Sequence, residues 1–152
     1  MIVKNNTQTT SALNLLLCKC PRCRKGDMFE EKNPYNLKRF MQMHRQCPVC
    51  GQELDLEVGF YYGSSYVSYA ITLAFSAATL IIWWFTIGVS LNDNRIFYWL
   101  FINSAMMLAL QPVFMRMART LWLAFFVRYE KNWHSVLPKK PERINEQLMD
   151  AW

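Results

Sequence analysis

Four cysteines carry the clearest chemistry in the chain, in two near-copies of one short motif: Cys20-Pro21-Arg22-Cys23 and Cys47-Pro48-Val49-Cys50. A doubled Cys-x-x-Cys supplies four sulfurs from two tight turns, the donor set of a tetrahedral metal site. Proline fixes a backbone dihedral inside each turn, and Gly51 follows the second pair, where a left-handed residue relieves strain. Zinc is the default ion for Cys20, Cys23, Cys47 and Cys50. Four protein ligands leave no open coordination position, so such a site is structural and not catalytic.

The remaining candidates are weighed against simpler roles. Cys18 could exchange with a ligand or sense redox state, or it is a half-buried residue leading into the first turn. His44, three residues before Cys47, could replace a ligand or donate to a thiolate, or lie on the surface. His134 reads as solvated tail. Lys19, Arg22, Arg24 and Lys25 crowd the first turn and read as a surface for anionic lipid or an acidic partner, or as a solvated face. No interleaved aromatic reader accompanies them, so nucleic acid is not the expected partner. Glu53, Asp55 and Glu57 alternate as the exposed face of a strand would. Met106, Met107, Met115 and Met117 suit helix packing better than copper handling. No phosphate loop, dinucleotide fingerprint or nucleophile elbow is present.

The elements that must position the cysteines follow from the hydrophobic pattern. Of 152 residues, 53% are hydrophobic and 15% aromatic, and the net charge is +6. The apolar residues concentrate between Gly59 and Val127, leaving a polar head of about sixty residues, a size that needs a staple. Residues 1–10 read as disordered. Ser11 to Leu17 is too short for a signal-peptide core and reads as a helical turn or strand into the first cysteine pair. Asn33-Pro34 reads as a helix start, and Leu37, Phe40 and Met41 follow at helical spacing, predicting a short amphipathic helix. Gln52 to Val58 alternates as a strand.

Val67 to Val89 is uncharged and long enough to cross a bilayer as a helix, with Ser64, Ser68, Thr72 and Ser76 recurring every four residues. A second span runs from about Ile96 to Val113. Asn103 and Ser104 within it can bond across to that stripe, or to their own backbone. Asn92-Asp93-Asn94 reads as the connecting turn. Tyrosines at 61, 62, 66 and 69 and aromatics at 83, 84 and 97–99 mark the two interfaces. Pro112 can end or kink the second span. Phe114 to Arg128 then reads as a helix lying on the membrane, with Arg116 and Arg119 reaching headgroups. Ile144 and Leu148 suggest a small terminal helix. Nine Lys and Arg precede the first span, one lies between the spans and seven follow Pro112. That distribution predicts two spans with both termini in the cytoplasm, where thiols stay reduced for metal.

Several motifs together resemble one bacterial membrane family. Cys20-Pro21-Arg22-Cys23 is followed by Gly26 and Phe29, and Cys47-Pro48-Val49-Cys50-Gly51 by Glu57-Val58-Gly59-Phe60-Tyr61-Tyr62-Gly63 and Tyr66-Val67-Ser68-Tyr69-Ala70. These look like the family called domain of unknown function 983, from about Leu17 through the first span, and more weakly through Gln111-Pro112 and Arg116-Met117-Ala118-Arg119. Asn33-Pro34-Tyr35 with Met43-His44 resembles its Bacteroidetes-like branch. The resemblance implies a two-span inner-membrane protein with a cytoplasmic ribbon and no established activity. The four-sulfur turn sequence also resembles rubredoxin, which makes iron the alternative metal.

The expected architecture is a zinc-ribbon-like head (short strands plus a short helix) at residues 11–58. A two-span hairpin at 59–113, an interfacial helix at 114–130 and a cytoplasmic tail at 131–152 follow. The function that fits is an adaptor or assembly factor holding a membrane-protein partner at the cytoplasmic face. A metal- or thiol-redox-handling protein and a small membrane enzyme are the alternatives.

Overall fold

The computed structural model describes residues 13–54, 59–88 and 94–138. A single helical turn, α1 (Leu13–Leu16), leads into the head. A 3-10 turn, Phe60–Gly63, opens directly into α2 (Ser64–Thr86), and α3 (Arg95–Phe126) returns beside it. The turn with α2, and α3 by itself, are each long and apolar enough to cross a bilayer. Both carry their apolar side chains outward: Phe85 is 87% exposed, Leu108 79% and Phe101 77%. A helix in the core of a soluble protein would bury that surface, so lipid is the environment this pair suits.

The hairpin is joined by polar contacts at mid-depth. Asn103 of α3 is buried and donates from Nδ2 to Ser76 Oγ at 3.1 Å, while its Oδ1 accepts from Thr79 Oγ1 at 3.0 Å. Ser104 instead donates to the Leu100 carbonyl of its own helix. Of the two candidate cross-links, the residue with both a donor and an acceptor makes the bridge. At the far end Arg95 Nη1 donates to the Ile87 carbonyl at 3.0 Å, covering an orphan carbonyl of the α2 terminus.

Three expectations meet a different structure. The first concerns the helix expected from Pro34 to Met41: these residues form turns. Asn33 Oδ1 accepts from the Tyr35 N–H, and Glu31 accepts from both Asn33 N–H and the Asn36 side chain. The Asn33 and Phe40 carbonyls are taken by Arg116. These local and long-range bonds draw on the polar groups that a helix would pair within itself. The second concerns the ribbon strands. Among the described residues they reduce to isolated antiparallel bridges, Lys19 with Asp27, Phe29 with Met43 and Gln46 with Glu53. Residues 55–58 of the expected strand lie outside the described residues, as do Met1–Thr10 and the Ile144–Leu148 helix.

The third concerns the separate interfacial helix. Residues 114–126 continue α3 without a break through Pro112. Proline removes one backbone bond, but packing against a neighbouring helix tolerates the loss. Pro112 is buried, and Phe114 just beyond it meets Phe75 of α2 with ring centroids 5.5 Å apart. The last turns of α3 then enter the head, and Leu123 joins Cys20, Cys23, Met28, Phe29, Cys47 and Leu54 in one buried cluster. A head too small to hold a core alone is built around the end of α3.

Candidate metal centre

Both cysteine turns fold the same way. The Arg24 N–H donates to the Cys20 carbonyl at 2.7 Å, and the Gly51 N–H to the Cys47 carbonyl at 2.9 Å. The residue after each second cysteine is left-handed: φ is +54° at Arg24 and +68° at Gly51. The Cys20 N–H donates to the Gly26 carbonyl and the Cys47 N–H to the Gln52 carbonyl, each at 2.8 Å, closing each turn on the chain that leaves it. Gly26 also sits where the two turns meet. A Cβ there would lie 2.4 Å from Cys47 Sγ, so no other residue fits without displacing a candidate ligand.

This pairing brings the four sulfurs together. Cys20 Sγ is 3.8 Å from Cys50 Sγ and Cys23 Sγ is 3.8 Å from Cys47 Sγ. All four lie within 4.8 Å of one another. A tetrahedral ion with sulfur bonds near 2.3 Å needs sulfurs about 3.8 Å apart, so the four cysteines could hold a metal ion. Cys20, Cys23 and Cys47 are buried and Cys50 is half-buried. Contact with its neighbours and burial push the Cys20 thiol up, while contact with Cys20 and Cys47 holds Cys23 low. Cys47 is drawn down by Cys20, pushed up by Cys23 and by burial, and ends at about 11. The thiols thus hold their protons as one coupled group, and a cation bound by thiolates would displace the protons that remain.

The basic side chains differ most from the sequence reading. Arg22 is only 4% exposed. Its guanidinium donates to the Cys50 carbonyl at 3.2 Å and to the Val136 carbonyl, and its own carbonyl accepts from the Glu130 N–H at 3.1 Å. It links the two cysteine turns to the segment after α3 and is not part of an exposed basic edge. Arg24 stacks on the Tyr129 ring at 4.4 Å, Lys25 lies over Trp133 at 5.8 Å, and Lys19 pairs with Asp27 at 2.5 Å. Lys25 is exposed and Lys19 half-buried.

Arg116, expected among headgroups, is 5% exposed. It donates to the Phe40 carbonyl at 2.7 Å and to the Lys32 and Asn33 carbonyls at 3.2 Å each, and lies over the Phe29 ring at 4.9 Å. Arg119 donates to the Met41 carbonyl at 3.4 Å and faces Tyr61 at 5.2 Å. Both arginines fasten the head to α3. Backbone carbonyls already turned away from regular structure offer a guanidinium oxygen acceptors, as a phosphate would. Tyr61 Oη donates to the Leu54 carbonyl, and Trp122 Nε1 to the Phe60 carbonyl at 2.9 Å, so the approach to α2 is held from both sides. The sequence signal for these roles was limited to Tyr61 among the interface tyrosines, and Trp122 carried none beyond its place in the expected surface helix.

Cys18 stays outside the four-sulfur cluster. It is half-buried in a left-handed conformation, φ +57°. Burial pushes its thiol up, against weaker pulls from Thr120 and Arg116, which disfavours a reactive thiolate. His44 is also outside the cluster, its backbone N–H bonded to the Met28 carbonyl at 3.1 Å. Glu53 is half-buried, and Asp55 and Glu57 lie outside the described residues.

An apolar helical hairpin with a cysteine head built onto its end defines a small membrane-type protein with a candidate metal centre. The chain belongs to the family described as protein of unknown function (DUF983), which matches residues 37–126. The match takes in the second cysteine pair and both apolar helices and starts after the first pair. Neither a curated protein nor a solved structure matches the chain.

Proposed function

We propose that the chain is a membrane-anchored zinc-ribbon-like adaptor or assembly factor, acting without catalysis at the cytoplasmic face of the bacterial inner membrane. The observation that carries this reading is the closed four-sulfur cluster built directly onto α3. All four sulfurs serve one site, which leaves a bound ion no position for substrate. Zinc held by Cys20, Cys23, Cys47 and Cys50 would supply rigidity to a head of marginal size. Iron is the alternative occupant.

The polar groups of the hairpin support a non-catalytic role. Asn103, Ser76 and Thr79 direct their hydrogen bonds to one another. A rigid head within a few residues of the bilayer suits binding the cytoplasmic end of a membrane protein. The Lys and Arg distribution, nine before the first apolar helix, one between the two and seven after Pro112, supports a topology with both termini in the cytoplasm.

Site-specific photocrosslinking in native membranes tests the proposal. Probes on the exposed face of the head, at Lys25 or Val49, should give a discrete adduct with one membrane protein, lost when Cys47→Ser removes the metal. Adducts that are unchanged in the Cys47→Ser protein would contradict an adaptor held in shape by zinc. Turnover of a small molecule requiring Cys18 while zinc stays bound would replace it with thiol chemistry.

A further inference from the structure

The loop from Lys32 to Arg39 has a position that neither the cysteine cluster nor the hairpin explains. Between Arg95 and Arg116, α3 carries roughly 20 residues without a charge, a length of about 30 Å, which matches the hydrocarbon of a bilayer. Arg116 therefore marks the head-side edge of the hydrocarbon, if α3 crosses as proposed. Helical side chains lean toward the helix N-terminus, which for α3 is the membrane side. The guanidinium of Arg116 holds the Lys32, Asn33 and Phe40 carbonyls at 2.7–3.2 Å. The loop between those carbonyls is thus fixed at the depth of the lipid headgroups.

Its side chains suit that depth. Tyr35 is 55% exposed and Leu37 68% exposed, two large apolar groups presented outward on a polar loop. Lys32, Lys38 and Arg39 flank them and are exposed. Lys32 and Lys38 make no ion pair among the described residues, and the Arg39 side chain donates to the Gln42 side chain at 2.9 Å and lies within electrostatic reach of Glu31 without a close ion pair. The Glu31 carboxylate accepts from the Asn33 N–H and the Asn36 side chain inside the loop. Apolar groups that enter the interface, ringed by cations, form the pattern by which a protein surface seats on anionic lipid.

We propose that this loop is a second membrane contact, in which Tyr35 and Leu37 insert at the head-side interface and Lys32, Lys38 and Arg39 bind anionic phospholipid headgroups. The proposal rests on the reading that α2 and α3 span the bilayer. The contact orients the metal-binding head against the membrane and makes its attitude depend on lipid charge. It differs from the basic edge of the first cysteine turn, where Arg22 is buried.

Hydrogen exchange of the full-length, metal-loaded protein tests this in two kinds of nanodisc, one of phosphatidylcholine and one with a third of the lipid replaced by phosphatidylglycerol. Amides of residues 35–39 should exchange at least about fivefold more slowly in the anionic discs. A Lys32→Glu, Lys38→Glu, Arg39→Glu protein should lose the difference while keeping its metal. Equal exchange of the loop in both discs, with α2 and α3 strongly protected, would overturn the loop contact and leave the spanning reading standing. A lipid-dependent difference that survives the triple substitution would overturn it as well. Rapid exchange along α2 and α3 would overturn the spanning reading itself and the loop contact with it.

Discussion

Arg116 Nε donates to the Phe40 carbonyl at 2.7 Å, across 76 residues of chain. With the Lys32 and Asn33 carbonyls at the same guanidinium, this contact turns the head back onto the end of α3. Arg116→Ala leaves three carbonyls without their donor and should cost about 3 kcal/mol in the docking of residues 31–43. Limited proteolysis in detergent should then cut that loop, while metal content stays at the wild-type level because the ligands lie elsewhere. Wild-type resistance in Arg116→Ala would show that the loop is held by other contacts.

Arg22 gives a contrasting expectation. Its guanidinium reaches the Cys50 and Val136 carbonyls and is 4% exposed. Arg22→Glu would bury a carboxylate against carbonyl oxygens, so the head should lose metal and stability together. Lys25→Glu, on an exposed side chain, should change stability by less than about 0.5 kcal/mol. Metal retention after gel filtration separates the two; equal retention would place Arg22 outside the structural core of the site.

At mid-depth in the hairpin, Asn103 makes two interhelical bonds and Ser104 bonds its own helix. Asn103→Leu should lower the thermal midpoint in detergent by the loss of about 1 kcal/mol, and Ser104→Ala should leave it unchanged. A larger effect at Ser104 than at Asn103 would contradict this packing.

The segment after α3 contacts the head through Glu130, Val136 and Arg22, so the chain on the two sides of the hairpin lies at one end of it. Reporter fusions at the two termini should give the same location, and a tag at the connection before Asn94 the opposite one. Termini on opposite faces would mean that one of the two helices does not cross.

The parts of this fold that were legible in the sequence are those governed by local spacing. Two Cys-x-x-Cys motifs specify four donors because each turn is set within a few residues. The apolar helices follow from composition, and Asn103 stood out as an amide in an apolar run. Arg116 and Arg119 were misread because a cation at the end of an apolar helix suits headgroup phosphates and backbone carbonyls equally well. Only a contact made across more than 70 residues decides between them. Pro112 was weighted by its effect on an isolated helix, whereas packing against α2 carries α3 through it. The Asn33-Pro34 start was overridden by the carbonyls that Arg116 draws away.

Metal analysis of the purified, full-length protein tests the central claim most directly. The four sulfurs, with pairs 3.8 Å apart, predict one tightly held zinc per chain. Removing it with a chelator should unfold the head, seen as loss of amide protection over residues 18–54, while α2 and α3 remain helical. A protein that carries no metal, and whose head keeps its protection in chelator, would contradict the account.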